Sequence, residues 1–105
     1  MSKDNVSLES GVAISEDVVS RDLQGEAVIL NLESGTYFGL DRVGTRIWSL
    51  LQEGGSLRGV FEAIQQEYDV APETLERDLL RLVQELRAKG LLSVSPSHGG
   101  PHPRA

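Results

Sequence analysis

Few residues in this chain have the type and spacing to do chemistry. His98 and His102 are the only histidines. On a helix, residues four apart share a face, so this pair has the spacing of two imidazole metal ligands. Gly99, Gly100 and Pro101 lie between them, however, and two glycines and a proline forbid that helix. The chain has 16 Asp and Glu residues, the next candidates for acid–base work. Glu73, Glu76, Asp78 and Glu85 interleave with Arg77, Arg81 and Arg87, the pattern of a solvated, ion-paired helix face. There is no cysteine, which excludes disulfides, thiolate nucleophiles and thiolate metal sites. Gly35-Thr36-Tyr37-Phe38-Gly39 carries two glycines but lacks the Lys and the directly following helix N-terminus of a phosphate loop. No nucleophile–base pair, metal site or cofactor motif can be assembled, so the expectation is a protein that is not an enzyme.

What remains is recognition, and it centres on Thr36 to Leu40. This segment is short, aromatic and uncharged, and follows a turn signal at Glu33-Ser34-Gly35. An open strand edge of that composition is an aggregation hazard unless it serves as a docking site. Adjacent strand residues point to opposite faces, so one of Tyr37 and Phe38 enters the core and the other does not.

The elements that position this strand are legible. Val18 to Leu23 reads as a strand, with Val12 to Ile14 extended beside it. Asp22-Leu23-Gln24-Gly25 gives a tight connection with Gly where positive φ is needed. Glu26 to Leu32 alternates Val28, Leu30 and Leu32 against Ala27, Ile29 and Asn31, apolar on nearly both faces, and so is expected at the centre of a small sheet. With Thr36 to Leu40 it completes a three-stranded antiparallel meander.

Helix follows. Asp41 is placed as an N-cap before Val43, Ile47, Leu50 and Leu51, with Trp48 on the flank, and Gly54-Gly55 ends the run. Ser56 caps a second helix with the stripe Leu57, Val60, Phe61, Ile64 and Tyr68. Pro72 opens a third, with Leu75, Leu79, Leu82, Val83 and Leu86 in one arc of about 100°. Gly90 caps it, and Leu91 to Val94 returns to the core in extended form. Leu80 lies outside the arc, about 60° beyond Val83, beside Gln84 and Arg87 with Arg77 further round. If this flank faces the open strand, Leu80 and Val83 form the second wall of a groove. Strands followed by three helices make an α+β fold of winged helix-turn-helix-like layout. The domain is expected over residues 12–94, with a flexible start at 1–11 and a disordered tail at 95–105.

Composition narrows the function. At 105 residues, 25% charged and 39% apolar, the chain is one ordinary globular domain. A net charge of −6 opposes nucleic acid as the main partner, because phosphate binding needs Lys and Arg. No apolar run reaches the ~20 residues of a membrane span and no signal-peptide pattern opens the chain, so the cytoplasm is the expected compartment. A monomer is expected, whose open edge can self-pair into a dimer.

Three blocks in order, Glu26-Ala-Val-Ile-Leu-Asn-Leu, Gly35-Thr-Tyr-Phe-Gly-Leu-Asp and Gly44-Thr-Arg-Ile-Trp-Ser-Leu-Leu, resemble the PqqD-like family. Asp78 and the ending Leu86-Arg-Ala-Lys-Gly-Leu-Leu fit the same pattern, and the resemblance covers about residues 12–94. It implies a non-catalytic recognition element for ribosomally made, post-translationally modified peptides. Such a domain binds the leader of a precursor peptide and delivers it to modifying enzymes. At this length the chain is especially similar to the stand-alone proteins of lasso-peptide pathways, which implies a cysteine-protease-type leader peptidase and a cyclase as partners. Family members also include the chaperone of quinone-cofactor biosynthesis, and a DNA-binding regulator is the alternative from another class. The resemblance further implies that the leader adds as an antiparallel strand to the third strand, here Thr36, Tyr37, Phe38, Gly39 and Leu40, in a cleft against the third helix. The helical wheel adds Leu80, Val83, Gln84 and Arg87 as the facing flank, with Arg77 or Arg87 meeting acidic leader residues.

Overall fold

The computed structural model describes residues 6–97, so His98 and His102 lie outside the described residues. The elements in order are β1 (Ser10–Ile14), β2 (Val18–Leu23), β3 (Glu26–Asn31), β4 (Tyr37–Gly39), α1 (Arg42–Gln52), α2 (Leu57–Glu67), α3 (Pro72–Ala88) and β5 (Leu92–Ser97). This is an α+β fold with the antiparallel sheet β2-β3-β4 and three helices.

β3 is central, as its two apolar faces require. The β2–β3 turn places both Gln24 (φ 63) and Gly25 (φ 90) in the left-handed region, the mirror-image turn that suits a two-residue hairpin. Asp22 Oδ1 closes it by accepting from the Gly25 N–H at 2.7 Å. β1 does not lie beside β2. It pairs antiparallel with β5 in a separate two-stranded sheet, from Ile14↔Leu92 outward. The β-branched run at Val12 to Ile14 signals a strand but not its partner, which arrives some 80 residues later.

Both ends of the folded unit reach past the bounds drawn from sequence. Val6 and Leu8 are buried in the core, and β5 continues to Ser97. Polar neighbours mask the two in the sequence, where a turn closed by the Ser10 N–H donating to the Ser7 carbonyl at 3.0 Å leads into β1. Trp48, expected on a flank, is only 2 % exposed and belongs to the same buried apolar cluster as Ile29, Leu57, Ile64, Leu79 and Leu86.

The helices start where their caps dictate. Asp41 accepts from the Gly44 N–H at 2.8 Å, and Ser56 from the Gly59 N–H at 3.0 Å. α3 has no side-chain cap, and Pro72 in its first turn removes one donor that would need one. α1 is bolted to the sheet by Thr45, whose Oγ1 accepts from the Ala27 N–H at 2.8 Å in a buried setting. Asn31 secures the far end of the hairpin. Its Oδ1 accepts from the Glu33 and Ser34 N–H groups at 2.8 and 3.2 Å, and its Nδ2 donates to the Gly90 carbonyl at 3.0 Å. One buried amide therefore shapes the β3–β4 turn and ties it to the end of α3.

Candidate functional site

β4 is an edge. β2 covers the opposite side of β3, and β5 is committed to β1, so among the described residues no strand covers β4. Its free groups follow from its register, Val28↔Gly39, Ile29↔Phe38 and Leu30↔Tyr37. The Asn31 N–H donates to the Thr36 carbonyl and the Leu40 N–H to the Ala27 carbonyl, both at 2.8 Å. Bonded positions alternate in an antiparallel ladder, so Phe38 shares the bonded set with Thr36 and Leu40. The N–H and C=O of Tyr37 and of Gly39 then point away from β3. These groups are what an added strand would pair with.

The same register separates the two rings. Phe38 sits opposite the fully buried Ile29 and is half-buried against the core. Tyr37 sits opposite Leu30 on the other face and is 71 % exposed. Phe38 thus faces the helices, and Tyr37 faces away from them.

On the Phe38 side a cleft of about 420 Å³ runs between β4, α1, the end of α2 and α3. Its apolar lining comes from Phe38, Val43, Ile47, Tyr68, Leu79 and Leu82, and its charged groups are Asp41, Asp78, Arg81 and Glu85. Gly44 keeps it open near the strand–helix joint. A Cβ there would come within 3.2 Å of both Leu40 Cδ2 and Asp41 Oδ1. A bidentate pair, Arg46 Nε to Glu67 Oε1 at 3.0 Å and Arg46 Nη2 to Glu67 Oε2 at 2.9 Å, joins α1 to the last turn of α2 beside Tyr68. Its hydrogen bonds raise the Arg46 pKa and lower that of Glu67.

The structure brings only part of the expected site together. Thr36, Tyr37, Phe38, Gly39 and Leu40 lie along the edge, but Thr36 and Leu40 turn their bonded groups inward. Val83 is sealed in the core at 0 % exposure. Arg77, Leu80, Gln84 and Arg87 do not line the cleft, and Leu80 is half-buried against the core on another side of α3. The wall facing β4 is instead the opposite flank, with Asp78, Arg81 and Glu85 some 40–100° beyond Leu82 at about 100° per residue. The wheel locates the buried arc but is silent on which of its two borders faces the strand. Tyr68, Val43 and Ile47 belong to the helices' apolar stripes, and no local signal in the sequence distinguishes a core position from a cleft lining.

Among the described residues no cluster of His, Asp and Glu could hold a metal ion, and no helix is long and apolar enough to cross a membrane. An unpaired strand edge beside an apolar cleft is the anatomy of a strand-accepting domain. The chain belongs to the PqqD family: the family model described as Coenzyme PQQ synthesis protein D (PqqD) matches residues 26–92. Two solved structures are similar to it. One, described as "TbiB1 in Complex with the TbiA(beta) Leader Peptide", shares 49% identity with a TM-score of 0.74, covering 77% of this chain and 94% of that one. The other, "Lasso peptide synthetase B1 complexed with the leader peptide", shares 26% identity with a TM-score of 0.71, covering 78% and 96%. No curated protein sequence matches this chain.

Proposed function

We propose that this protein binds the leader segment of a ribosomally made precursor peptide in lasso-peptide biosynthesis. The leader lies antiparallel along β4, pairs with Tyr37 and Gly39, and sends alternate side chains into the cleft against α3. The protein is non-catalytic, works in the cytoplasm, and passes the leader to a cysteine-protease-type peptidase and a cyclase. The single observation that carries this reading is the open β4 edge beside the cleft of about 420 Å³. The leader-bound state of both similar proteins supports it.

The energetics are adequate. Ladder hydrogen bonds contribute about 1 kcal/mol each, and two or three apolar side chains entering the cleft add ~1.5–3 kcal/mol each. Lost translational freedom and ordering of the peptide offset much of this. A surplus of roughly 8–11 kcal/mol corresponds to about micromolar to ten-nanomolar affinity. Backbone pairing is nearly sequence-blind, so selectivity resides in the cleft.

The direct test is titration of a fluorescein-labelled TbiA(beta) leader peptide, the ligand of the similar TbiB1 structure, followed by anisotropy. Saturable 1:1 binding with amide shift changes at Tyr37, Gly39, Leu79 and Leu82 is expected. Binding whose shift changes fall on β1, β5 or the Leu80 flank instead would refute the placement.

A further inference from the structure

The charge on the cleft is one-sided. Its charged lining groups are Asp41, Asp78, Glu85 and Arg81. Arg81 Nη2 is held by Asp78 Oδ1 at 3.3 Å, with Arg77 Nε 3.9 Å from the same oxygen. Arg46, across on α1, is held by Glu67. Glu85 forms no ion pair among the described residues, and Asp41 has one oxygen turned to the Gly44 N–H. The rim therefore presents carboxylates in excess, beside the accessible apolar surface of Phe38, Val43 and Leu82. Arg87, expected from sequence to meet acidic leader residues, lies outside this lining, and Arg77 reaches only the Asp78 ion pair.

Resting on the leader-binding reading, we infer that the cleft selects a peptide carrying a Lys or Arg on the same face as its apolar anchor, placed to meet Glu85 and the Asp78 end of α3. Spacing supports this. Asp78 and Glu85 are seven residues apart, about 10 Å along the helix. Same-face side chains of an extended peptide recur about every 6.6 Å. An apolar side chain seated over Leu82 thus has same-face neighbours, two residues away on either side, within reach of one carboxylate or the other. Long basic side chains suit such a rim, because their aliphatic stems cover apolar floor while the charged end stays wet. An acidic residue there would meet like charge, and the lining guanidinium of Arg81 is already held by Asp78. The chain's net charge of −6 adds a long-range attraction for basic peptides at low salt.

The test is a positional scan of the TbiA(beta) leader peptide in which each residue in turn is replaced by Lys or by Glu, measured by anisotropy against the full chain and its Glu85→Lys variant. At one or two positions, spaced by two from an apolar anchor, Lys is expected to bind about two- to fivefold better than Glu. That preference should invert in Glu85→Lys, with the circular dichroism melt unchanged because Glu85 is exposed. Raising the salt from 0.05 to about 0.5 M should shrink it. Equal Lys and Glu scans at every position, or a preference that Glu85→Lys leaves intact, would overturn the inference while leaving leader binding standing. Failure of the parent peptide and every scan member to bind would overturn the leader-binding reading itself.

Discussion

Replacing Gly39 with proline removes one N–H from β4 without breaking the ladder that holds the strand in the sheet. The register assigns the Phe38 groups to β3 and those of Tyr37 and Gly39 to the outside. Gly39 is not in the left-handed region, and a Cβ built on it meets nothing within 4 Å. Phe38 before it is extended, as a residue preceding proline must be. An edge strand tolerates proline where the N–H faces out. The fold should therefore survive. Binding should not, because proline deletes a hydrogen bond of about 1 kcal/mol and its ring stands where the peptide carbonyl would approach. The combined loss is about 1.5–3 kcal/mol, or roughly 10–100-fold in Kd. Gly39→Ala keeps the donor and should bind within about threefold of wild type, a difference below ~0.7 kcal/mol. Phe38→Pro should unfold the hairpin, since it breaks the ladder to Ile29. Anisotropy with the labelled TbiA(beta) leader peptide gives Kd, and the single buried Trp48 gives a fluorescence melt for each variant. A Gly39→Pro protein that melts like wild type and binds equally well would show that no strand adds at β4.

Four further substitutions examine the surroundings of that edge. Leu82→Glu, on the cleft floor, should weaken leader binding by about tenfold or more, whereas Leu80→Glu, outside the cleft, should leave Kd nearly unchanged; the reverse order in the titration would return the groove to the flank first read from the wheel. Asn31→Leu removes both arms of the amide that joins the β3–β4 turn to Gly90 and should lower stability by about 1–3 kcal/mol in urea unfolding followed by Trp48. The hydrogen bond from Arg46 holds the Glu67 pKa below the usual carboxylate value. The stability it contributes is therefore present above the unfolded-state pKa and lost as pH falls through the depressed folded-state value. Glu67→Gln should melt slightly lower than wild type at neutral pH, with the difference closing in acid, and an equal gap at both ends of a pH series of melts would contradict the assignment.

The fold was readable because local signals agree with the global arrangement. Asp41, Ser56 and Pro72 mark three helix starts, Gly54 and Gly90 mark two stops, and the two apolar faces of β3 mark the sheet's centre. The open edge was readable by counting, and among the described residues the later strand β5 is committed to β1. Three things were not readable, each for a physical reason. The partner of β1 is a matter of long-range pairing, which a β-branched run cannot encode. Val6 and Leu8 stand among polar residues ahead of β1, with no periodic stripe to mark them, and join the core only in the folded chain. The choice between the Leu80 and Leu82 sides of α3 depends on how the helix is rotated against the sheet. Two borders of one buried arc look equivalent until the sheet is in place.

β4 is three residues long, and only two of them turn their backbone outward. A reader with so narrow an aperture takes in a handful of positions and is indifferent to everything beyond them. What it reads is then a tag more than a sequence. The tag can be moved: set ahead of an unrelated cargo, a few suitably alternating residues would suffice to bring that cargo along. The cargo would thereby be released from any duty to be recognised and be free to diversify.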